Sequence, residues 1–334
     1  MNELIEAFLS FKLYNQGKSE NTISKYRGYL QRLDKYLIGK DLQLLQASSE
    51  DLEHFTGLYA HEQGLSPRSR RAMVAAVRGL YQWCYKNKLV KEDVAINIPY
   101  PSAGKRLPVA MSLQNAQKLL MQPDINTFLG IRDAAIISIL IGCGPRASGI
   151  VSLNESSLNW VDDKGKELLV IKFIEKGKKE RLVPAPEEVR LLVRAYLGHP
   201  DLKAIDRTLS NGDLVLFVST ANYKVPPHEY HGENRRLKRL GLNAIIKKYG
   251  DQAGIPGHEL HAHALRHRYG TELAESDVDI LQRQALMGHE DPATTEIYTQ
   301  LAMRKLVDTV KKANPLGKIH TPVTDLSKAL EKNS

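Results

Sequence analysis

The sequence predicts a mainly helical protein of two domains, with a small antiparallel β-sheet in the second. The 334 residues exceed the roughly 150 that one hydrophobic core usually serves. Apolar residues recur at helical spacing through residues 2–96, whereas a pattern of strand, turn and strand occurs only later. Residues 98–111 are rich in proline and basic side chains and have little to bury. We therefore expect domains at 1–97 and 112–314, a linker at 98–111 and a tail at 315–334.

The first domain is predicted to contain four helices. One begins after Ser19, because apolar residues recur every three or four positions in the segment that follows. Another opens with Ser66 as its N-cap and Pro67 as its first helical residue. Away from its apolar stripe, this helix carries three arginines that form either a solvated face or phosphate contacts. They are Arg68, Arg71 and Arg78.

The second domain is predicted to combine helices with a hairpin. Ser112 caps one helix, residues 127–143 form a second, and residues 167–184 form two strands around Gly177. Residues 214–219 could add another strand. Residues 222–239 end in a basic cluster and predict a long exposed loop that leads into a basic helix. That loop is either a DNA-facing insertion or simply solvated.

Charge and cysteine content narrow the class of protein. The 47 Lys and Arg residues outnumber 38 Asp and Glu residues, giving a formal charge of +9. This balance favours a polyanion such as nucleic acid, although acidic membranes also attract basic proteins. Cys84 and Cys143 lie in apolar helical runs and suggest neither a disulfide framework nor a thiolate metal site. With no secretory signal at the start and no apolar run near membrane-span length, we expect a cytoplasmic protein.

The most informative residues lie near the carboxyl end of the sequence. His263 and Arg266 are three positions apart, so on a helix an imidazole and a guanidinium share one face. His289 follows in a Met-Gly-His sequence, and Asp291-Pro292 then predicts the start of a short helix. That helix carries Tyr298 about two turns further on.

This order of residues resembles the tyrosine recombinase, or phage integrase, family, including Xer-type members and those borne by phages and transposons. The family pattern is Arg, Lys, His-x-x-Arg, His and Tyr. The intervals of 3, 23 and 9 positions between its last four residues also resemble the family arrangement. Each family position is filled in this sequence, by Arg146, Lys176, His263, Arg266, His289 and Tyr298.

The resemblance implies a reaction that breaks and reforms a DNA phosphodiester through a 3′-phosphotyrosine. Arg146 and Arg266 would stabilise charge on the phosphate, and His289 would hydrogen-bond to it. His263 would assist proton transfer from the Tyr298 phenol, which otherwise titrates near 10. Lys176 would protonate the departing 5′ oxygen, although Lys178 and Lys179 lie on the same turn. Such an enzyme needs neither ATP nor metal nor another cofactor.

The resemblance also implies a C-shaped clamp of two domains around double-stranded DNA. The protein would be a monomer in solution and a tetramer on two paired sites, with a tail helix exchanged between protomers. Accessory proteins that bend DNA or set direction are possible partners. The basic residues expected to contact DNA are Lys25, Arg68, Arg71, Arg78, Lys105, Arg106, Arg235, Arg236 and Arg239.

Two departures from the family pattern keep alternatives open. Pro145 precedes the first arginine where a hydrophobic residue is usual, and it should distort the helix start. Gly149 stands where an acidic residue usually buttresses that arginine. The alternatives are a catalytically weak architectural DNA-binding protein, and a strand transferase of the type IB topoisomerase or telomere-resolving kind. The cluster of His258, His261, His263 and His267 does not complete a recognisable zinc motif.

Overall fold

The computed structural model describes residues 3–102, 104, 109–163, 165–174, 180–222, 224–288, 307, 309–310 and 312–319. The chain divides into two compact units, Met1–Arg106 and Leu107–Ser334. The boundary falls inside the segment 98–111. Described secondary structure is mainly helical, with one three-stranded antiparallel sheet in the second unit, which confirms the predicted fold class.

The first unit is built from four helical stretches, as predicted. Two of them contain a π-helical turn, at Phe11–Asn15 and at Phe55–Tyr59. The Ser19 hydroxyl accepts from the Thr22 backbone N–H, and the Ser66 hydroxyl accepts from that of Ser69, so both predicted N-caps are confirmed. The helices are α1 Glu3–Ser10, α2 Glu20–Ile38, α3 Ser49–His54, α4 Ala60–Glu62 and α5 Pro67–Lys86. The π-helical turn at Phe55–Tyr59 joins α3 to α4, so these two helices form one continuous stretch.

The second unit packs its helices around α7, which is buried along almost its whole length. Its apolar residues face every direction because α9 and α12 both pack against it. Ser112 caps α6, as the sequence predicts, and Thr127, the first residue of the helix predicted at 127–143, is the N-cap of α7. The helices are α6 Leu113–Leu120, α7 Phe128–Cys143, α8 Ala147–Val151, α9 Glu187–Gly198, α10 Pro200–Lys203, α11 Arg239–Gln252, α12 Ala262–Glu275 and α13 Ile280–Met287.

The sheet has the order β1-β2-β3 and consists of Leu158–Asp163, Lys166–Ile174 and Glu180–Pro184. Both pairings are antiparallel, and Ile171 of β2 lies opposite Leu158 of β1 and Val183 of β3. The predicted hairpin corresponds to β2 and β3, whereas β1 was not predicted. Its sequence, LNWVDD, lacks a clear alternation of apolar and polar residues.

The possible strand at residues 214–219 was wrong. This segment forms only isolated bridges, including Asn154 with Val215 and Val218 with Arg236. Its run of apolar side chains is buried, and no continuous neighbouring strand pairs with it in the described structure, so side chains satisfy three of its carbonyl groups. The Val215, Leu216 and Val218 oxygens accept from Arg207, Tyr196 and Arg132.

Residues 222–239 fold into 3₁₀ turns at Pro227–Glu229 and Gly232–Arg235 before α11 begins. The Arg236 guanidinium turns inward and donates to the carbonyl oxygens of Val151 and Leu153 at 3.2 and 3.0 Å. The segment therefore packs against the end of α8 rather than forming a purely solvated loop. Across the described part of the chain, every helix is too short or too polar to cross a bilayer.

Candidate active site

The turn between α7 and α8 positions Arg146. Gly144 ends α7 in the left-handed conformation, with φ of 56° and ψ of 40°. A Cβ at this position would lie 2.3 Å from the Tyr269 ring, so the turn requires glycine for both backbone and space. Arg146 follows as the extended N-cap of α8 and is half-buried.

Pro145 lies between the end of α7 and the start of α8. The prediction that it distorts the start of a helix is therefore wrong. Because the residue is outside both helices, its missing N–H removes no helical hydrogen bond. Gly149 is buried and offers Arg146 no side chain. The short helix is held at its other end by Arg236, which reaches the carbonyl oxygen of Val151, its last residue.

Helix α12 positions His263 and Arg266. His261 is its N-cap, and the Nδ1 atom accepts from the Ala264 backbone N–H at 2.9 Å. His263 in the first turn is exposed, whereas Arg266 one turn later is only 3% exposed. The two residues at the predicted i,i+3 spacing therefore differ in exposure, because the imidazole is accessible and the guanidinium is buried.

Arg266 links α12 to two other helix ends. Its guanidinium donates to the Gly144 carbonyl at 2.6 Å and also to the Met287 carbonyl at the end of α13. Helix carboxyl ends carry partial negative charge, so they are favourable partners for a buried cation. These contacts bring the α12 arginine beside the turn that carries Arg146.

The environment of His263 is strongly electropositive. Although the residue as a whole is exposed, partial desolvation of its imidazole lowers the pKa of His263 most, and the nearby charges of His267, Arg266, His261 and Arg146 lower it further. The His263 and His267 rings meet edge to face, with centroids 4.2 Å apart. The lowered pKa favours the neutral imidazole, which is the form that can accept a proton. Arg146, far from α12 in sequence, thus lies near enough to His263 to affect its pKa.

Arg181 was not predicted as a site residue, although it lies at the ends of α7 and α13, where Arg266 also lies. It is 6% exposed, stacks over the Phe173 ring at 5.1 Å and donates to the carbonyl oxygens of Cys143 and Leu286. One signal was present: Arg181 and buried Val183 are two positions apart on β3 and therefore point to the same face.

The other predicted site residues fall outside the described part of the chain. They are Lys176, His289, Tyr298, Lys105 and Arg106. Tyr269, the tyrosine that contacts the site turn, is fully buried, and burial raises its pKa. It is not an accessible nucleophile. No cluster of three metal-binding side chains occurs among residues with described positions, so none of the histidines there belongs to one.

The predicted DNA-contact residues occupy different environments. Lys25, Arg68 and Arg239 are exposed. Arg71 and Arg78 both lie over the Tyr100 ring, at 5.4 and 5.2 Å, and donate to the carbonyl oxygens of Pro101 and Ile98. They therefore hold the start of the linker segment against α5. Arg235 stacks over Tyr230 at 3.8 Å, and the inward contacts of Arg236 indicate a structural role.

Two family profiles match the chain. The phage integrase family matches residues 110–305, and the phage integrase N-terminal SAM-like domain matches residues 5–88. The tyrosine recombinase XerD of Proteus mirabilis is 32% identical over 316 residues, 94% of this chain and 93% of that protein. XerD of Listeria monocytogenes strain EGD-e is 32% identical over 321 residues, 94% of this chain and 99% of that protein.

Solved structures share the fold. The XerH recombinase bound to its difH substrate in a pre-cleavage complex has a TM-score of 0.63 and 18% identity. The match covers 90% of this chain and 93% of that one. A lambda integrase dimer bound to a COC′ core site has a TM-score of 0.61 and 11% identity, covering 89% and 97%. With both domain profiles and close to full-length relatives in agreement, the chain belongs to the phage integrase family of tyrosine recombinases.

Proposed function

We propose that this protein is a site-specific DNA recombinase in which Tyr298 attacks a backbone phosphate. The observation that carries the proposal is that Arg266 contacts the carbonyl groups at the ends of α7 and α13, while Arg146 and Arg266 both lie near enough to His263 to lower its pKa. Phosphodiesters repel nucleophiles, so the main task of a catalyst is to stabilise charge on the non-bridging oxygens. Two permanently charged guanidinium groups beside a neutral imidazole suit that task.

The proposed cleavage step transfers a DNA phosphate from a 5′ oxygen to Tyr298. The Tyr298 oxygen forms a bond to phosphorus while the bond from phosphorus to the 5′ oxygen breaks. Neutral His263 takes the phenol proton, and Lys176 gives a proton to the 5′ oxygen. The products are a 3′-phosphotyrosine and a free 5′ hydroxyl. His289 is proposed to hydrogen-bond to the phosphate.

Rejoining is the same step in reverse, with a 5′ hydroxyl from either strand as nucleophile. Because the phosphotyrosine retains the ester bond energy, we propose that strand joining requires no ATP. Because Arg146 and Arg266 supply positive charge at the phosphate, we propose that the reaction requires no metal ion. Activity undiminished by chelators and without nucleotide is the expected result.

The substrate is proposed to be a pair of double-stranded DNA sites held by four protomers. The net charge of +9 favours a DNA partner, and exposed Lys25, Arg68 and Arg239 are candidate phosphate contacts. We expect a monomer in free solution and a tetramer on paired sites, with accessory proteins determining direction. Because its substrate is cellular or mobile-element DNA, we expect the protein to act in the cytoplasm.

Covalent trapping tests the proposal directly. The wild-type protein first selects a binding site from a random-sequence duplex library, and a nick is then placed beside each candidate phosphate. After denaturation in detergent, wild type should give a shifted protein–DNA band and Tyr298→Phe should give none. Tyr14→Phe is the control, because Tyr14 is 81% exposed in the other unit.

Each alternative gives a different outcome. Equal results for wild type and Tyr298→Phe would leave only an architectural DNA-binding protein. Relaxation of a supercoiled plasmid that lacks the selected site would favour a topoisomerase-like enzyme. Recombination between two copies of the selected site, and none on the plasmid without it, supports the proposal.

A further inference from the structure

Two buried arginines hold the same pair of helix ends. Arg181 of β3 donates to the carbonyl oxygens of Cys143 and Leu286. Arg266 of α12 donates to the next carbonyl along each chain segment, those of Gly144 and Met287. Side by side, the two guanidinium groups therefore bridge the carboxyl ends of α7 and α13.

The chemistry of helix ends explains why two cations are placed there. The last carbonyl groups of a helix have no intrahelical donor, and their dipoles give the end a partial negative charge. Both helices terminate at a glycine in the left-handed conformation, Gly144 with φ of 56° and Gly288 with φ of 64°. Two such ends facing each other would repel, so the guanidinium groups supply both the donors and the compensating charge.

Residues proposed for catalysis follow each of these ends. Arg146 lies two positions after Gly144, and His289 comes directly after Gly288. Arg181 itself lies on β3, five positions after Lys176 in the sequence. Through its two carbonyl contacts it joins the end of α7, which precedes Arg146, to the end of α13.

We propose that Arg181 is a positioning residue that, through backbone carbonyl groups, holds the turn carrying Arg146 and the end of α13 in the arrangement that Arg266 also contacts. The inference rests on the proposed function, because Arg146 and Arg266 are assigned there as the groups that stabilise the phosphate. Arg181 lies over the Phe173 ring at 5.1 Å and is only 6% exposed, so its guanidinium is enclosed by packed neighbours. A misplacement of about 1 Å at a reacting centre lowers a rate about 100-fold, so loss of this bridge affects chemistry more than DNA affinity.

The test compares four proteins on the duplex selected by wild type and nicked at the scissile phosphate. Arg181→Met removes the charge and the donors at similar length, and Arg181→Lys retains charge and one donor group. Val183→Ala is a matched control for lost core packing on the same strand, because Val183 is fully buried. For each protein, unfolding, DNA affinity and the single-turnover rate of covalent-complex formation are measured.

Arg181→Met should bind DNA nearly as tightly as wild type and form the covalent complex about 100-fold more slowly. Arg181→Lys should recover part of that rate, and Val183→Ala should lose stability without a comparable loss of rate. A folded Arg181→Met protein with the wild-type rate would overturn the inference. So would a Val183→Ala protein that is equally slow.

A measurement without DNA separates this inference from the proposed function. In arginine side-chain NMR spectra, the guanidinium signals of Arg266 should shift and broaden in Arg181→Met and remain unchanged in Val183→Ala. Unchanged Arg266 signals in Arg181→Met refute the bridge even if wild type cleaves DNA. If wild type forms no covalent complex, the proposed function fails while the spectra still decide the bridge.

Discussion

Arg266 donates to the carbonyl oxygen of Gly144 at 2.6 Å, across 122 positions of sequence. The contact fastens the helix that carries His263 to the turn that carries Arg146. It depends on the left-handed backbone of Gly144, which directs that carbonyl toward α12 instead of continuing α7. The relative position of these two segments therefore depends on the Gly144 carbonyl and the buried Arg266 guanidinium.

Gly144→Ala should destabilise the second unit by more than backbone strain alone. A left-handed alanine costs about 1–2 kcal/mol, and here its Cβ would also lie 2.3 Å from the buried Tyr269 ring. Gly212→Ala is the matched control, since Gly212 has φ of 83° and nothing within 4 Å of the added Cβ. Urea unfolding measures both. Equal losses for the two variants would contradict the proposed close packing of Tyr269.

The lowered pKa of His263 predicts where the acidic limb of the pH–rate profile for cleavage lies. If neutral His263 accepts the phenol proton, the rate should fall only at a pH below the ordinary imidazole value of 6.5. The unfolded imidazole binds a proton more readily than the folded one, so stability also falls as pH drops below that value. Rates should therefore be measured where far-UV circular dichroism shows folded protein.

A neighbouring histidine tests this assignment. His267 is the largest charge contribution to the lowered pKa of His263, so His267→Gln should move the acidic limb upward toward 6.5. His258→Gln is the control, because exposed His258 is not among the groups that affect His263. If the acidic limb of the pH–rate profile lies at the same pH in wild type and in His263→Gln, a group other than His263 causes it.

Arg236 and Arg239 should separate a structural arginine from one that contacts DNA. Arg236→Met strips donors from the Val151 and Leu153 carbonyl groups and should lower the free energy of unfolding by about 1–3 kcal/mol. Arg239→Met should leave stability unchanged and reduce the slope of log K against log salt by roughly 0.9. Thermal unfolding and DNA binding at several salt concentrations measure the two effects. If Arg236→Met changes only the salt dependence and Arg239→Met lowers only the stability, Arg236 is the DNA contact and Arg239 the structural residue.

The general acid should be identified by changing the leaving group. Lys176→Met should slow cleavage roughly 100- to 10,000-fold, whereas Lys178→Met and Lys179→Met should have little effect. A sulfur in place of the 5′ bridging oxygen leaves as a thiolate and needs no proton donor, because a thiol is far more acidic than an alcohol. That substrate should restore the Lys176→Met rate and leave Arg146→Met slow. Failure of the rescue would remove Lys176 from the role of acid.

Local signals in the sequence predicted much of the fold. Ser19, Ser66, Ser112 and Thr127 each begin the predicted helix, because an N-cap is satisfied within three residues. The strand at β1 was not predicted and the strand at 214–219 was wrong. Strand formation depends on a partner distant in sequence, which local alternation does not specify.

The sequence by itself determined the helical pattern, the family and the order of the six proposed catalytic residues. Only the tertiary structure decided that Arg266 joins α12 to the turn before Arg146, that Pro145 lies outside both neighbouring helices, and that Arg181 contacts the same two helix ends. The physical reason is that these relationships run through backbone carbonyl groups at the ends of α7 and α13. Every residue carries such a group, so its identity as a partner leaves no trace in the side-chain sequence.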